Sequence, residues 1–203
     1  MSELLNLPPF PPLAWRESFG SGDWKGAFVL PAWAGCLPGR GPYMPRDLPA
    51  PSDGSVSLSV DSPDRVGALP TPEQAAAFRH LVDHQQETRD AILRAVFDSY
   101  PDEQEACGWE GADAAERMPD LQKPEGLRAL IGLSTVYLLA VAKDGFAYVS
   151  FEFRCLWDQE HGLGAMTHAG RVVQVGGADT AILEWIAMQD AENVTPRPPI
   201  LGE

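Results

Sequence analysis

The chain has 203 residues, 44% of them apolar, which is enough for a substantial core. Its 15 Lys and Arg stand against 29 Asp and Glu, a formal charge of -14. Such a surface repels phosphate backbones and anionic lipid, so nucleic-acid and membrane partners are not expected, while a basic protein would be attracted.

The first third is rich in proline, with 12 of the 19 prolines in residues 1–70. Pro8, Pro9, Pro11 and Pro12 exclude helix and central strand, so residues 1–13 read as an extended arm. Residues 14–70 read as strands and loops. Trp15, Trp24 and Trp33 follow at a spacing of nine and suit core and edge packing better than a ligand platform. Residues 24–30 predict a strand, residues 35–51 a Pro/Gly loop, and the strict alternation of residues 55–60 a half-buried strand.

Pro70-Thr71-Pro72-Glu73-Gln74 is a helix start: Thr71 as N-cap, proline at the first turn, Gln74 closing a capping box. The apolar stripe from Phe78 to Tyr100 predicts one helix over residues 71–100, ending before Pro101. His80 and His84 have the spacing of two metal ligands, but they fall opposite that stripe and no third ligand is near, so they read as solvated. Residues 102–123 read as an acidic loop or short irregular helix, and residues 127–131 as a strand lead-in or single helical turn.

The clearest β signal is residues 134–155, two strands joined at Asp144-Gly145. A hairpin centred there sets Val136 opposite Phe153, Leu138 opposite Phe151 and Ala140 opposite Val149 on a core face. Tyr137 then faces Glu152, and Thr135 faces Arg154, on a half-wet one. Residues 163–168 and 171–175 predict a second hairpin, and residues 178–190 a final helix offering Ile182, Leu183, Trp185 and Ile186 to the core. Residues 191–203 read as a loose tail. The order of elements gives a single α+β domain: an antiparallel meander and the final helix over residues 127–190, the sheet packed on the long helix, with a Pro-rich N-terminal β segment.

Between the two hairpins stands Trp157-Asp158-Gln159-Glu160-His161-Gly162-Leu163-Gly164, the densest group of reactive side chains. Three roles are open to Asp158, Glu160 and His161. One is metal or acid/base chemistry, with His168 the only further ligand nearby in sequence. A second is structural, with Asp158 as an Asx turn. The third is recognition. Cys36, Cys107 and Cys155 form no CxxC pair, and Cys155 lies on an apolar strand face where a thiolate is suppressed. There is no P-loop, dinucleotide fingerprint or nucleophile elbow, so no cofactor is expected. The N-terminus lacks a signal-peptide pattern and no apolar run is long enough to span a bilayer, which points to the cytoplasm.

Trp24-Lys25-Gly26, the Pro70–Gln74 helix start, the helix closing at Tyr100 and the Trp157–Gly164 segment together resemble an uncharacterised bacterial family of domains of unknown function, over residues 14–186. The hallmark of that resemblance is the W-D-x-E-H-G-x-G segment at Trp157, Asp158, Glu160, His161, Gly162 and Gly164. It supplies no catalytic residues. Similar small acidic domains occur among immunity proteins that neutralise toxins in interbacterial competition. The expectation is therefore a non-enzymatic binding module, in one version an immunity-type protein for a basic, toxin-like partner. The alternative is a metal-assisted or acid/base enzyme centred on Glu160 and His161.

Overall fold

Seven strands form one sheet in sequence order: β1 (Ala14–Ser18), β2 (Ser21–Val29), β3 (Ser55–Asp61), β4 (Ile131–Lys143), β5 (Phe146–Cys155), β6 (Leu163–His168) and β7 (Arg171–Gly176). They belong to a computed structural model that describes residues 4–18, 20–38 and 50–192. Every neighbouring pair is antiparallel except β3 and β4, which run parallel. A parallel pair needs a long crossover, and this one carries α1 (Pro72–Asp83), α2 (Gln85–Cys107) and α3 (Gly111–Arg117). A last helix, α4 (Glu184–Glu192), follows the sheet. The fold class is α+β, as the order of elements predicts.

The capping box at α1 is present: the Thr71 side chain accepts from Gln74 N–H, and the Gln74 side chain accepts from Thr71 N–H. The single helix expected over residues 71–100 is two. His84 leaves helical geometry at φ -118°, and α2 restarts at Gln85. The first turns of α2 are tied to the 3-10 turn Pro31–Trp33: Gln85 Oε1 accepts from Ala32 N–H at 3.0 Å and Arg89 donates to Ala32 O at 3.0 Å. Both helices then bury their apolar sides in the same core.

Nor does α2 stop before Pro101. It runs on to Cys107 and ends on Gly108 in the left-handed region at φ 61°. Proline removes one helical bond, and contacts with the loop beyond α3 offset that loss. Tyr100 donates its hydroxyl to Pro119 O at 3.1 Å, and the Gln104 amide donates to Met118 O at 2.9 Å. The acidic stretch read as a loop or irregular helix is thus the end of α2, then α3, then loop. Residues 127–131 satisfy both readings, since a 3-10 helix (Pro124–Ala129) leads directly into β4.

The proline arm is folded back where the sequence suggests extension. Leu5 and Leu13 exchange two backbone hydrogen bonds at 2.7 and 2.9 Å. This places the Phe10 ring 5.4 Å from Phe78, which also meets Phe28 at 5.1 Å. Trp15 and Trp24 meet edge to face across the β1–β2 pair, and Trp33 is buried against Phe153. All three tryptophans pack against other rings.

The hairpin β4–β5 turns at Asp144-Gly145, as expected, but the predicted register holds only next to the turn, where Lys143 faces Phe146 and Ala142 faces Ala147. Two extra residues between Leu138 and Ala142 then shift it, so that Leu138 faces Val149, Val136 faces Phe151, Tyr137 faces Ser150 and Thr135 faces Glu152. A shift of two keeps every side chain on its predicted face. One more extra residue, Ser134, follows before Leu133 meets Phe153.

Two cores result. Val56, Leu58, Val60, Val136, Phe151 and Phe153 lie on one sheet face beneath α1 and α2. Each fully buried side chain of this size contributes about 1.5–3 kcal/mol. On the opposite face Leu139, Tyr148 and Met166 pack against Ile186 and Ala187 of α4. The face expected to be half wet is therefore dry where Leu139, Tyr148 and Met166 meet α4, and polar around Lys25, Ser59, Tyr137 and Glu152.

The final helix is also shorter than residues 178–190 predict. A 3-10 turn (Ala178–Ala181) precedes a break at Ile182 and Leu183. That break resets the helical phase, so Ile186 and Ala187 face the sheet while Ile182 and Trp185 are exposed. The loose tail foreseen from residue 191 begins inside α4, and residues 193–203 lie outside the described residues, as do residues 39–49 of the Pro/Gly loop.

Candidate functional site

The segment after β5 forms a tight corner whose residues divide by what they touch. Trp157 is buried, edge-on to Tyr100 with ring centres 5.6 Å apart, and its carbonyl accepts from the Trp109 indole at 3.2 Å. Asp158 forms an Asx turn: Oδ1 accepts from His161 N–H at 2.9 Å and contacts the His161 ring nitrogen Nδ1 at 3.1 Å. The Asp158 carbonyl accepts from Gly162 N–H and from the Cys155 thiol. Burial pushes that thiol up to about 12, so it stays protonated, as its strand position suggests.

Both glycines of the segment sit where no side chain fits. Gly162 has φ 69°, and a Cβ there would lie 2.7 Å from Phe153 O. At Gly164 a Cβ would lie 2.5 Å from Gly177 O. Glu160 and His161 are the exposed tip, with 73% of the His161 side chain accessible.

The tip borders a cleft of about 260 Å³ lined by Glu152, Arg154, Gln159, Glu160, His161 and Gly162. The structure does not bring His168 to it. That residue sits at the far end of β6, buried, with Nε2 2.9 Å from Lys143 O and its ring on Tyr148. Among the described residues no group of three or more His, Cys, Asp or Glu side chains is placed to hold a metal ion. His80 and His84 stack at 4.3 Å; His84 is exposed, but His80 is half buried against Phe146, and burial holds its pKa below the ordinary value.

The cleft continues into a polar sheet face that single-residue motifs did not reveal. Tyr137 donates to Glu152 Oε2 at 2.6 Å, and on its other side lies a second hollow of about 230 Å³ lined by Asp23, Asp61, Arg65, Tyr137, Leu139 and Ile182. Lys25 crosses this face, donating to Ser59 at 2.7 Å and Asp23 at 3.0 Å. Burial, with the carboxylates of Asp23 and Glu184 nearby, raises Asp61 to about 6. α1 and α2 cover the other side of the sheet, and α4 covers this side only over β4–β7. Among the described residues, two buried side-chain polar atoms lack a hydrogen-bond partner: Ser150 Oγ, on this same sheet face, and Gln159 Nε2, from a residue lining the cleft.

Asp61 has a local cause. The extra residues in β4 free backbone groups from the ladder, and each must find a partner. Asp61 accepts from the Ala140 N–H, and the Gln74 amide donates to the carbonyls of Asp61, Leu138 and Leu139 at 2.9–3.1 Å. The only sequence trace of this arrangement is Asp61 closing an apolar alternation, a signal too common to single it out.

Corner and sheet together define a mixed domain: a mostly antiparallel seven-stranded sheet with a helical crossover on one face. Residues 51–183 match the domain of unknown function DUF6985, and the chain belongs to that family. The match runs from just before β3 to Leu183, so it includes the 157–164 corner and leaves β1, β2 and α4 outside it. No curated protein and no solved structure matches the chain. Among the described residues no helix is long and apolar enough to cross a membrane.

Proposed function

We propose that this protein is a non-enzymatic binding module that takes a basic protein on the polar sheet face between β2 and β5, in the manner of an immunity protein occluding its toxin. The observation that carries the reading is the set of carboxylates Asp23, Glu152 and Glu160, with the buried Asp61 beside them, along one face that no α-helix covers among the described residues. With a formal charge of -14 behind it, such a face steers a cationic partner and speeds encounter at low salt.

A second reading, an acid/base enzyme centred on Glu160 and His161, rests on the Asp158 contact that orients the imidazole beside the cleft. The Cys155 thiol beneath the corner is buried and protonated, so it does not serve that chemistry as a nucleophile.

A photo-crosslinking residue at Thr135, on the proposed face, is compared in the source cells with one at Arg79, exposed on α1. The reading expects a basic protein trapped from Thr135 and not from Arg79. The purified pair should then associate at least tenfold more slowly in 0.5 M salt than at about 0.05 M. Trapping from Arg79 alone, or association indifferent to salt, refutes it.

A further inference from the structure

The break before α4 leaves large apolar side chains in water beside the polar face. Ile182, Trp185 and Met188 recur at every third residue and are 57%, 54% and 50% exposed, while Ile186 and Ala187 of the same segment are buried against the sheet. Ile182 also lines the hollow shared by Asp23, Asp61 and Tyr137, so this ridge adjoins the carboxylates directly. An ion pair between Arg65 and Glu184 ties the loop after β3 to the start of α4, and Val66 on that loop is 72% exposed. Apolar patches rimmed by charge mark interaction surfaces, and tryptophan is the side chain most often dominant in them.

We infer that the Ile182–Trp185–Met188 ridge is the apolar anchor of the partner surface, and that its occupant is a cationic amphipathic segment: apolar side chains on one stripe, flanked by Arg or Lys. This rests on the proposed binding of a basic protein and adds where, and by what chemistry, that partner is gripped. The charge selects the occupant. Asp179 and Glu192 lie on the same segment as the ridge, and Asp23 and Asp61 line the hollow with Ile182, whereas Glu184 and Asp190 are already paired with Arg65 and Arg171. A second copy of this chain would bring a charge of -14 against -14, which opposes self-docking. A partner that was basic but not amphipathic would leave the three apolar chains wet.

The test uses the full chain, labelled with nitrogen-15, and two synthetic 18-residue peptides of Leu and Arg. One has its leucines on a single helical stripe, and the other has the same composition scrambled. The stripe peptide should bind at least about tenfold tighter than the scrambled one. It should shift the Trp185 indole resonance and lose about tenfold in affinity to the variant W185A/M188A, whose far-ultraviolet spectrum and melting temperature should match the parent because both side chains are half exposed. Equal binding of the two peptides, with shifts confined to residues such as Ser59 and Glu152, overturns the ridge while leaving the charged face as the site. Absence of binding by either peptide overturns the ridge, and the crosslinking comparison then decides the charged face separately. A dimer in sedimentation that W185A/M188A converts to monomer also overturns the inference, because the occupant is then a second copy.

Discussion

Tyr137 and Glu152 are joined by a 2.6 Å hydrogen bond although the residue across the ladder from Tyr137 is Ser150. The bond runs diagonally, and it links Tyr137, which lines the hollow around Asp61, to Glu152, which lines the cleft under His161. Burial, with Glu152 adding to it, raises the Tyr137 hydroxyl above its ordinary pKa, so it remains a donor at any physiological pH. The two hollows thus share one wall, and the polar face behaves as a continuous surface.

Asp61 should make the protein less stable as pH rises. Its carboxyl sits at about 6 in the fold against an ordinary 3.8, so between these values the folded state holds a proton that the unfolded chain has released. Stability therefore falls from pH 4 to pH 6 and levels off above, by up to about 3 kcal/mol. Asp61→Asn keeps an acceptor for Ala140 N–H and removes the charge. Urea unfolding should show it equal to the parent at pH 4 and more stable at pH 8; a variant less stable at pH 8 would refute the account.

Gln74 is fully buried, and its amide holds three carbonyls at the bulge of β4. Gln74→Glu replaces that donor with a buried charge and should cost about 3 kcal/mol or more. Gln86→Glu, at an exposed position of α2, is the control and should unfold at the parental urea midpoint.

The glycines differ in what they tolerate. Gly108 has φ 61° with open space around it, so Gly108→Ala should cost only the left-handed penalty, about 1 kcal/mol. Gly164→Ala drives a methyl into Gly177 O and Thr180, and should cost about 1–3 kcal/mol while displacing the Ala178–Ala181 turn. Melting temperatures that rank these two in reverse order would contradict the packing described for the corner.

At the tip, Asp158 and His161 separate structure from recognition. His161→Ala keeps the backbone N–H that Asp158 accepts and removes an exposed ring, so stability should change by less than about 0.5 kcal/mol. Asp158→Ala removes the acceptor itself and should cost about 1 kcal/mol. If His161→Ala proves the more destabilising of the two in calorimetry, the ring has a packing role that its exposure hides.

Local chemistry carried the legible part of the fold. Thr71 and Gln74 marked a capping box, Asp144-Gly145 a turn, and alternation at Val56, Leu58 and Val60 a strand, because each depends on neighbours in the chain. The break at His84 was not legible: it depends on Gln85 and Arg89 reaching Ala32, more than 50 residues away. The same holds for α2 passing Pro101, which distant carbonyls at Met118 and Pro119 support. Of the candidate site, the corner stood out by composition. The polar face did not, because Asp23, Asp61, Tyr137 and Glu152 come from four strands and meet only through pairing.

The family match starts at residue 51, whereas the sheet starts at Ala14. The first two strands, with Phe10 and Phe28 laid over Phe78, therefore act as a lid on one margin of the shared domain. Stripped of residues 1–50, β3 would present an unpaired row of amides and carbonyls beside a bare phenylalanine, an invitation to stick edge to edge with its own kind. In that sense the N-terminal ribbon is the chain's safeguard against clumping.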